Sequence, residues 1–211
     1  MPSRSEILNL DEPTAAPPGE SPWVVEPVQS AVLLAEYDPR WPLLAQSIIE
    51  RVGAALGPRA LRIEHVGSTA VAGLAAKPVI DLDLTVADPA DEGGWLPPLQ
   101  EEGFVLTVRE PWWHGHRMLR GGRRGSEVVA PASGDQAVNL HVFGPDSPEL
   151  VKHVVFRNWL RADAGDRELY AAAKRSAADG PAQRVMDYNA RKEAVVHDIY
   201  RRAFRAAGFL D

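Results

Sequence analysis

Between residues 79 and 86 the chain reads VIDLDLTV, with Ile80, Leu82 and Leu84 alternating against Asp81 and Asp83. A period of two puts the apolar trio on one face of a strand and both carboxylates on the other. Strands are likewise predicted over 61–66, 104–109, 116–120, 126–130 and 138–143, with glycine-rich turns among the later ones. A further strand is expected at 31–36 (AVLLAE), ahead of the turn Tyr37-Asp38-Pro39. Pro42 suits the first turn of a helix that runs to Leu56 and stops at Gly57-Pro58. Residues 91–103 read as a second helix. From Pro148 onward helices are predicted over 149–162, 166–179 and 184–207. The last carries apolar residues at 185, 188, 195, 196, 199, 203 and 204, a 3.6-residue period. Strands in the middle and helices gathered at the end describe an α+β fold, a mixed sheet flanked by helices with a helical C-terminal subregion.

Residues 1–22 break this patterning. They hold prolines at 2, 13, 17, 18 and 22, few bulky apolar residues and a net acidic charge, so a flexible leader is expected before a single domain over 23–211. At 211 residues, 45% hydrophobic and 25% charged, the chain is long enough to bury one core. No apolar run approaches the ~18 residues of a membrane span, and the N-terminus lacks the basic-then-apolar order of a secretory signal. With no cysteine there is no disulfide, thiolate zinc site or cysteine nucleophile, and a cytoplasmic location is expected.

The net charge of -6 is uneven. Residues 151–211 carry 12 basic and eight acidic side chains, and five arginines fall between 109 and 124. Local basic regions on an acidic chain suit a small anionic ligand; a duplex-binding protein would show a basic domain. Neither a nucleic-acid nor a membrane partner is therefore expected, and the oligomeric state is left open.

Candidate chemistry centres on the acidic pair. Alternate carboxylates on one strand lie about 7 Å apart at Cβ, and hard cations such as Mg²⁺ take one or two carboxylates plus substrate phosphates. Twelve residues intervene between Ser68 and Asp81, and Gly67-Ser68 follows a strand, where backbone N–H groups can approach a phosphate closely. Lys77 lies between the two features. Tyr170 and Lys174 are i,i+4 partners on one predicted helix, as are Tyr188 and Lys192 on the next. Lys192 lies near an apolar stripe and calls for a partner, a polyphosphate or an acid such as Asp187. Arg157 and Arg161 share a helix face and are candidates for the same anion. His114 and His116, two apart, would face one way on a strand, and with His141 and an aspartate they offer a nitrogen-rich site for Zn²⁺, Mn²⁺ or Fe²⁺. Trp112 and Trp113 are read as core packing rather than nucleobase stacking.

Residues 63–86, IEHVGSTAVAGLAAKPVIDLDLTV, resemble the core motif of the polymerase-β-like nucleotidyltransferase superfamily. From about residue 31 the chain more narrowly resembles the GrpB family. The matching pieces are YDPRWP (37–42), EHVGSTAVAGLAAKPVID (64–81), EPWWHGHRMLRG (110–121), NLHVF (139–143), FRNWLR (156–161) and ELYAAAKR (168–175). The resemblance implies a nucleoside triphosphate substrate, with Mg²⁺ or Mn²⁺ on Asp81 and Asp83 and phosphates at Gly67 and Ser68. It further implies transfer of a nucleoside monophosphate to a small-molecule acceptor. His141 stands where the superfamily places a third carboxylate, as general base or extra ligand. The competing readings are a non-catalytic nucleotide- or anion-binding module of the same fold, and a His/Asp metal-dependent enzyme of another class.

Overall fold

The computed structural model describes residues 1–11, 15–27, 33–124, 127–130, 136–178 and 185–210, with backbone alone at 123–124, 127–130 and 185–188. In chain order the main elements are α1 (Arg4–Leu8), α2 (Trp41–Leu56), β1 (Arg62–Val66), β2 (Val79–Thr85), α3 (Glu92–Glu101) and β3 (Val105–Glu110). They continue as β4 (His116–Arg124), β5 (Glu127–Ala130), β6 (Ala137–Phe143), α4 (Glu149–Ala162), α5 (Ala164–Ala178) and α6 (Val185–Ala206). This is an α+β fold built on one mixed sheet.

The strands lie in the order β1-β2-β6-β4-β3, with β5 paired to β4. Among the described residues only β2 and β6 run parallel; the other pairs are antiparallel. The parallel pair needs a long crossover, which the chain between residues 86 and 136 supplies.

Strand alternation sorts the two faces. Ile80, Leu82, Leu84, Val138, Leu140, Val142 and Leu119 are buried in one cluster with α2 residues Trp41, Ala45, Ile48, Val52 and Leu56. Trp95 and Leu99 of α3 complete it. The opposite face is polar along β2 and meets α4, whose His153 and Arg157 reach Asp83 and Glu64. A second, smaller cluster ties α4, α5 and α6 to the segment after β1, through Val71, Leu74, Leu160, Tyr170, Ala171 and Ile199. Site residues thus lie between a sheet made rigid by its apolar side and a helical layer.

Two expectations need correction. The strand at 31–36 is reduced, within the described residues, to a single bridge between Ala35 and Ala76; residues 31–32 lie outside them. Residues 1–11, expected within a flexible leader, pack on the domain. Ser3 and Glu6 form a capping box that starts α1, and Ile7 is 5% exposed. Arg4 Nε donates to Phe209 O at 2.6 Å, and Lys152 Nζ donates to Asn9 O at 2.7 Å. The terminal amine pairs with Asp146. Further along, Trp23 bridges Val108 and Arg109 N donates to Pro22 O, so this stretch covers the edge of β3. Average composition hid one well-placed isoleucine and a cap.

Candidate functional site

The register lays the site out in rows. Glu64, Asp83, His141 and Met118 face one another across β1, β2, β6 and β4, and Val66, Asp81, Asn139 and Arg120 form the next row. Asp81, Asp83 and His141 therefore share one face.

Each carboxylate already has one protein donor. Asp81 is half-buried, and its Oδ1 accepts from Asn139 Nδ2 at 2.7 Å. Asp83 is 1% exposed, and its Oδ2 accepts from His153 Nδ1 on α4 at 2.9 Å. Its Oδ1 is buried with no hydrogen-bond partner among the described residues. Burial alone would depress the His153 pKa, but the Asp83, Glu149 and Asp81 carboxylates outweigh it and raise the value to about 9. Behind His153, Glu149 Oε1 accepts from Lys152 Nζ at 2.6 Å, both side chains being buried.

The Gly67-Ser68 turn abuts this pair. Gly67 has φ 69° and ψ -171°, a backbone region essentially reserved for glycine. A Cβ there would lie 2.5 Å from Asp81 Oδ2, so the exposed turn backbone and the carboxylate are immediate neighbours. Lys174 approaches from the helical layer. It is 2% exposed, donates to Ser68 Oγ at 3.2 Å and to Ala75 O, and sits 4.5 Å above the Tyr170 ring. Lys192 Nζ lies 5.7 Å from the same ring. Burial, then the charges of Lys192 and Arg175, bring the Lys174 pKa down to about 7. The two lysines expected to face an anion thus meet at the Tyr170 ring, and Lys174 alone reaches the turn, through Ser68. The side chains of Asp187 and Tyr188 lie outside those described.

Other predicted residues fall differently. Lys77 is half-buried on the approach to β2. Arg157 donates to Glu64 Oε2 and to His65 O, both at 2.7 Å, because β1 presents these acceptors directly beneath α4. It is an ion-pair residue rather than a ligand arginine. Trp113 is half-buried and packs edge-on against His116 and Phe143.

The nitrogen-rich metal centre is not formed. β4 begins at His116, and His114 lies before it in a turn at φ 52°, so the two-residue strand parity does not apply. His116 Nε2 and His141 Nδ1 are 3.0 Å apart and bonded to each other, so they do not face a common ion. Among the described residues, no three His, Asp or Glu side chains are arranged to hold a metal.

Sequence reasoning passed over His153, Asn139 and Glu149, and gave Glu110 no role. Glu149 and His153 are i,i+4 on α4, a spacing that puts both on one helix face, but nothing local shows that this face meets Asp83.

The fold fits the relatives of the chain. The family model described as GrpB protein matches residues 31–202. The UPF0157 protein BH1888 of Halalkalibacterium halodurans is 41% identical over 179 residues, covering 85% of this chain and 86% of that one. A protein named dephospho-CoA kinase from Mycolicibacterium paratuberculosis is 32% identical over 83% of this chain, which spans 47% of that protein's length. The crystal structure of GrpB from Enterococcus faecalis superposes with a TM-score of 0.70 at 24% identity, over 83% of this chain and 99% of the other, and shows the same fold. The motifs around Gly67, Asp81 and His141 fall inside the matched span, and the chain belongs to the GrpB family.

Proposed function

We propose that this domain binds a nucleoside triphosphate with a divalent cation and transfers the nucleoside monophosphate to a small-molecule acceptor. The observation that carries the reading is the contact between the Gly67 turn and Asp81, with Lys174 bonded to Ser68 of that turn and Lys192 beyond it at the Tyr170 ring. A ligand spanning these groups must present negative charge to the lysines and positive charge to the carboxylates. A metal-complexed polyphosphate does both.

The residues fit Mg²⁺ or Mn²⁺. Asp83 Oδ1 is a buried oxygen lacking a hydrogen-bond partner among the described residues, on the same strand face as Asp81. Phosphate oxygens complete the preferred oxygen shell of such ions. Zn²⁺ fits less well, because it takes three or four protein ligands and no such group exists among the described residues. When bound, the cation neutralises charge on the phosphate oxygens. Gly67 offers a close backbone approach, Ser68 a hydroxyl, and Lys174 and Lys192 offset phosphate charge. His141 accepts the proton of the attacking acceptor group.

Relatives named dephospho-CoA kinase support a nucleotide-related transferase chemistry. This chain contains no G-x-x-x-x-G-K-[S/T] run, so P-loop phosphoryl transfer is not proposed for it. A second reading, a non-catalytic nucleotide-binding module, is favoured by one observation: His153 and Asn139 already engage one oxygen of each aspartate.

Calorimetric titration with ATP and the other nucleoside triphosphates in Mg²⁺ or Mn²⁺ tests both. Binding by wild type and its loss in Asp81→Asn and Lys174→Met are expected. No binding with any divalent ion overturns the transferase and the module alike. Binding without pyrophosphate release across a panel of hydroxyl and amine acceptors favours the module.

A further inference from the structure

A line of hydrogen-bonding side chains crosses three strands of the sheet and ends at His141. Glu110 of β3 and His116 of β4 are cross-strand partners, with Oε2 and Nδ1 2.6 Å apart. His116 Nε2 then meets His141 Nδ1 of β6 at 3.0 Å. The middle of the line is dry: His116 is 4% exposed and the Glu110 side chain 15%. Its ring is also fixed in orientation, stacked on Phe143 at 4.8 Å and met edge-on by Trp113 at 5.1 Å.

Such a chain has a direction. An ionised carboxylate only accepts, so Glu110 requires the proton of His116 on Nδ1. Burial and the nearby His153 and Arg117 disfavour a second proton on His116, leaving Nε2 as a lone pair. The 3.0 Å bond must then be donated by His141 Nδ1–H. We propose that Glu110 and His116 are positioning residues that set the tautomer of His141, so that its Nε2 carries the lone pair. The use of that nitrogen as the proton acceptor rests on the transferase reading; the tautomer itself does not. The arrangement has the logic of a carboxylate that orients a catalytic imidazole, with one further imidazole inserted between them. Burial raises the Glu110 pKa, and a protonated Glu110 would reverse every bond and place the His141 proton on Nε2. The two directions are thus distinguishable on one nitrogen.

The test is ¹⁵N NMR of histidine-labelled full-length protein near pH ~7.5, without nucleotide or metal, reading which ring nitrogen of His141 is protonated. The expected result is a proton on His141 Nδ1 with scalar coupling across the hydrogen bond to His116 Nε2. Loss of that single-tautomer signature is expected in Glu110→Leu. A wild-type His141 protonated on Nε2 overturns the proposal, as does an unchanged signature in folded Glu110→Leu. The wild-type coupling decides the direction even where the leucine variant does not fold. Because the spectra need no nucleotide, a failed nucleotide titration overturns the transferase reading and leaves the tautomer result standing by itself.

Discussion

Replacing Gly67 by alanine strikes the contact on which the functional reading rests. At φ 69° and ψ -171° an L-residue is strained by ~1–3 kcal/mol. The new methyl would also lie 2.5 Å from Asp81 Oδ2, 3.0 Å from its Cβ and 3.1 Å from its Cγ. Asp81 must retreat by about 1 Å to recover ordinary van der Waals separation. That movement stretches the 2.7 Å bond from Asn139, and a hydrogen bond to a charged group contributes ~1.5–3 kcal/mol. The total is about 3–5 kcal/mol, which for a domain of this size lowers the melting midpoint by ~8–15 °C. Gly73 supplies the control: it has φ 77° with no atom within 4 Å of an added Cβ. Gly73→Ala carries the backbone strain alone, ~1–2 kcal/mol and ~3–6 °C. Thermal and urea unfolding of both variants measure the difference, and in an Asp81→Ala background, where the clash and the Asn139 bond are already gone, adding Gly67→Ala should cost only the backbone share. Equal losses at Gly67 and Gly73 would refute the claim that turn and carboxylate abut.

Deleting residues 1–11 exposes the Ile7 site and removes the acceptor of Lys152 Nζ at Asn9. The midpoint should fall by ~4–10 °C, from ~1.5–3 kcal/mol for burial of the isoleucine, and an unchanged melt shows that the packing contributes nothing. The His153 pKa rises from 6.5 to about 9 on folding, so its pairing with Asp83 stabilises fully below pH ~6.5 and the gain is lost as pH rises through ~9. His153→Gln should flatten that decline in urea-measured stability; a persisting slope places its origin elsewhere. Lys174 behaves oppositely: its pKa falls from 10.5 to about 7, so the buried ammonium costs stability below pH ~7 and the cost fades toward pH ~10.5. Lys174→Met should melt higher than wild type at pH ~6 while binding ATP more weakly, and a lower midpoint there argues that the bonds to Ser68 and Ala75 outweigh desolvation.

What was legible in the sequence was local. The alternation in β2 decides which side of the strand is apolar without knowledge of its neighbours, and Ile80, Leu82 and Leu84 are all fully buried. The register that sets His141 opposite Asp83 followed only by analogy with the motif, since pairing across 58 residues has no local signature. His153 reaches Asp83 from 70 residues away, through the packing of α4 on the sheet, and no spacing rule anticipates that. The H-x-H reading failed at a strand boundary: with β4 beginning at His116, His114 belongs to a turn, and the strand starts two residues too late for period-two logic to include it. Arg157 read as a ligand cation because its partner Glu64 lies on a strand 93 residues earlier.

The histidine at position 141 also fixes the charge of the site. A carboxylate there would stand in register with Asp83, itself 1% exposed and already beside Asp81. Like charges on adjacent strands repel, and burial strengthens the repulsion. His153 is the cation bonded to Asp83, and it can offset one negative charge, not two. A histidine at 141, bonded to His116, adds no negative charge. On the proposed reading, the two aspartates, already engaged by His153 and Asn139, bind a free divalent ion weakly and acquire it together with phosphate oxygens. Calorimetry with Mg²⁺ alone should therefore be silent on wild type and become measurable once ATP is present. His141→Asp should strengthen binding of the free ion while lowering apo stability. Tight Mg²⁺ binding by the nucleotide-free wild type would show that two aspartates suffice, and the charge argument for a histidine at this position would fall.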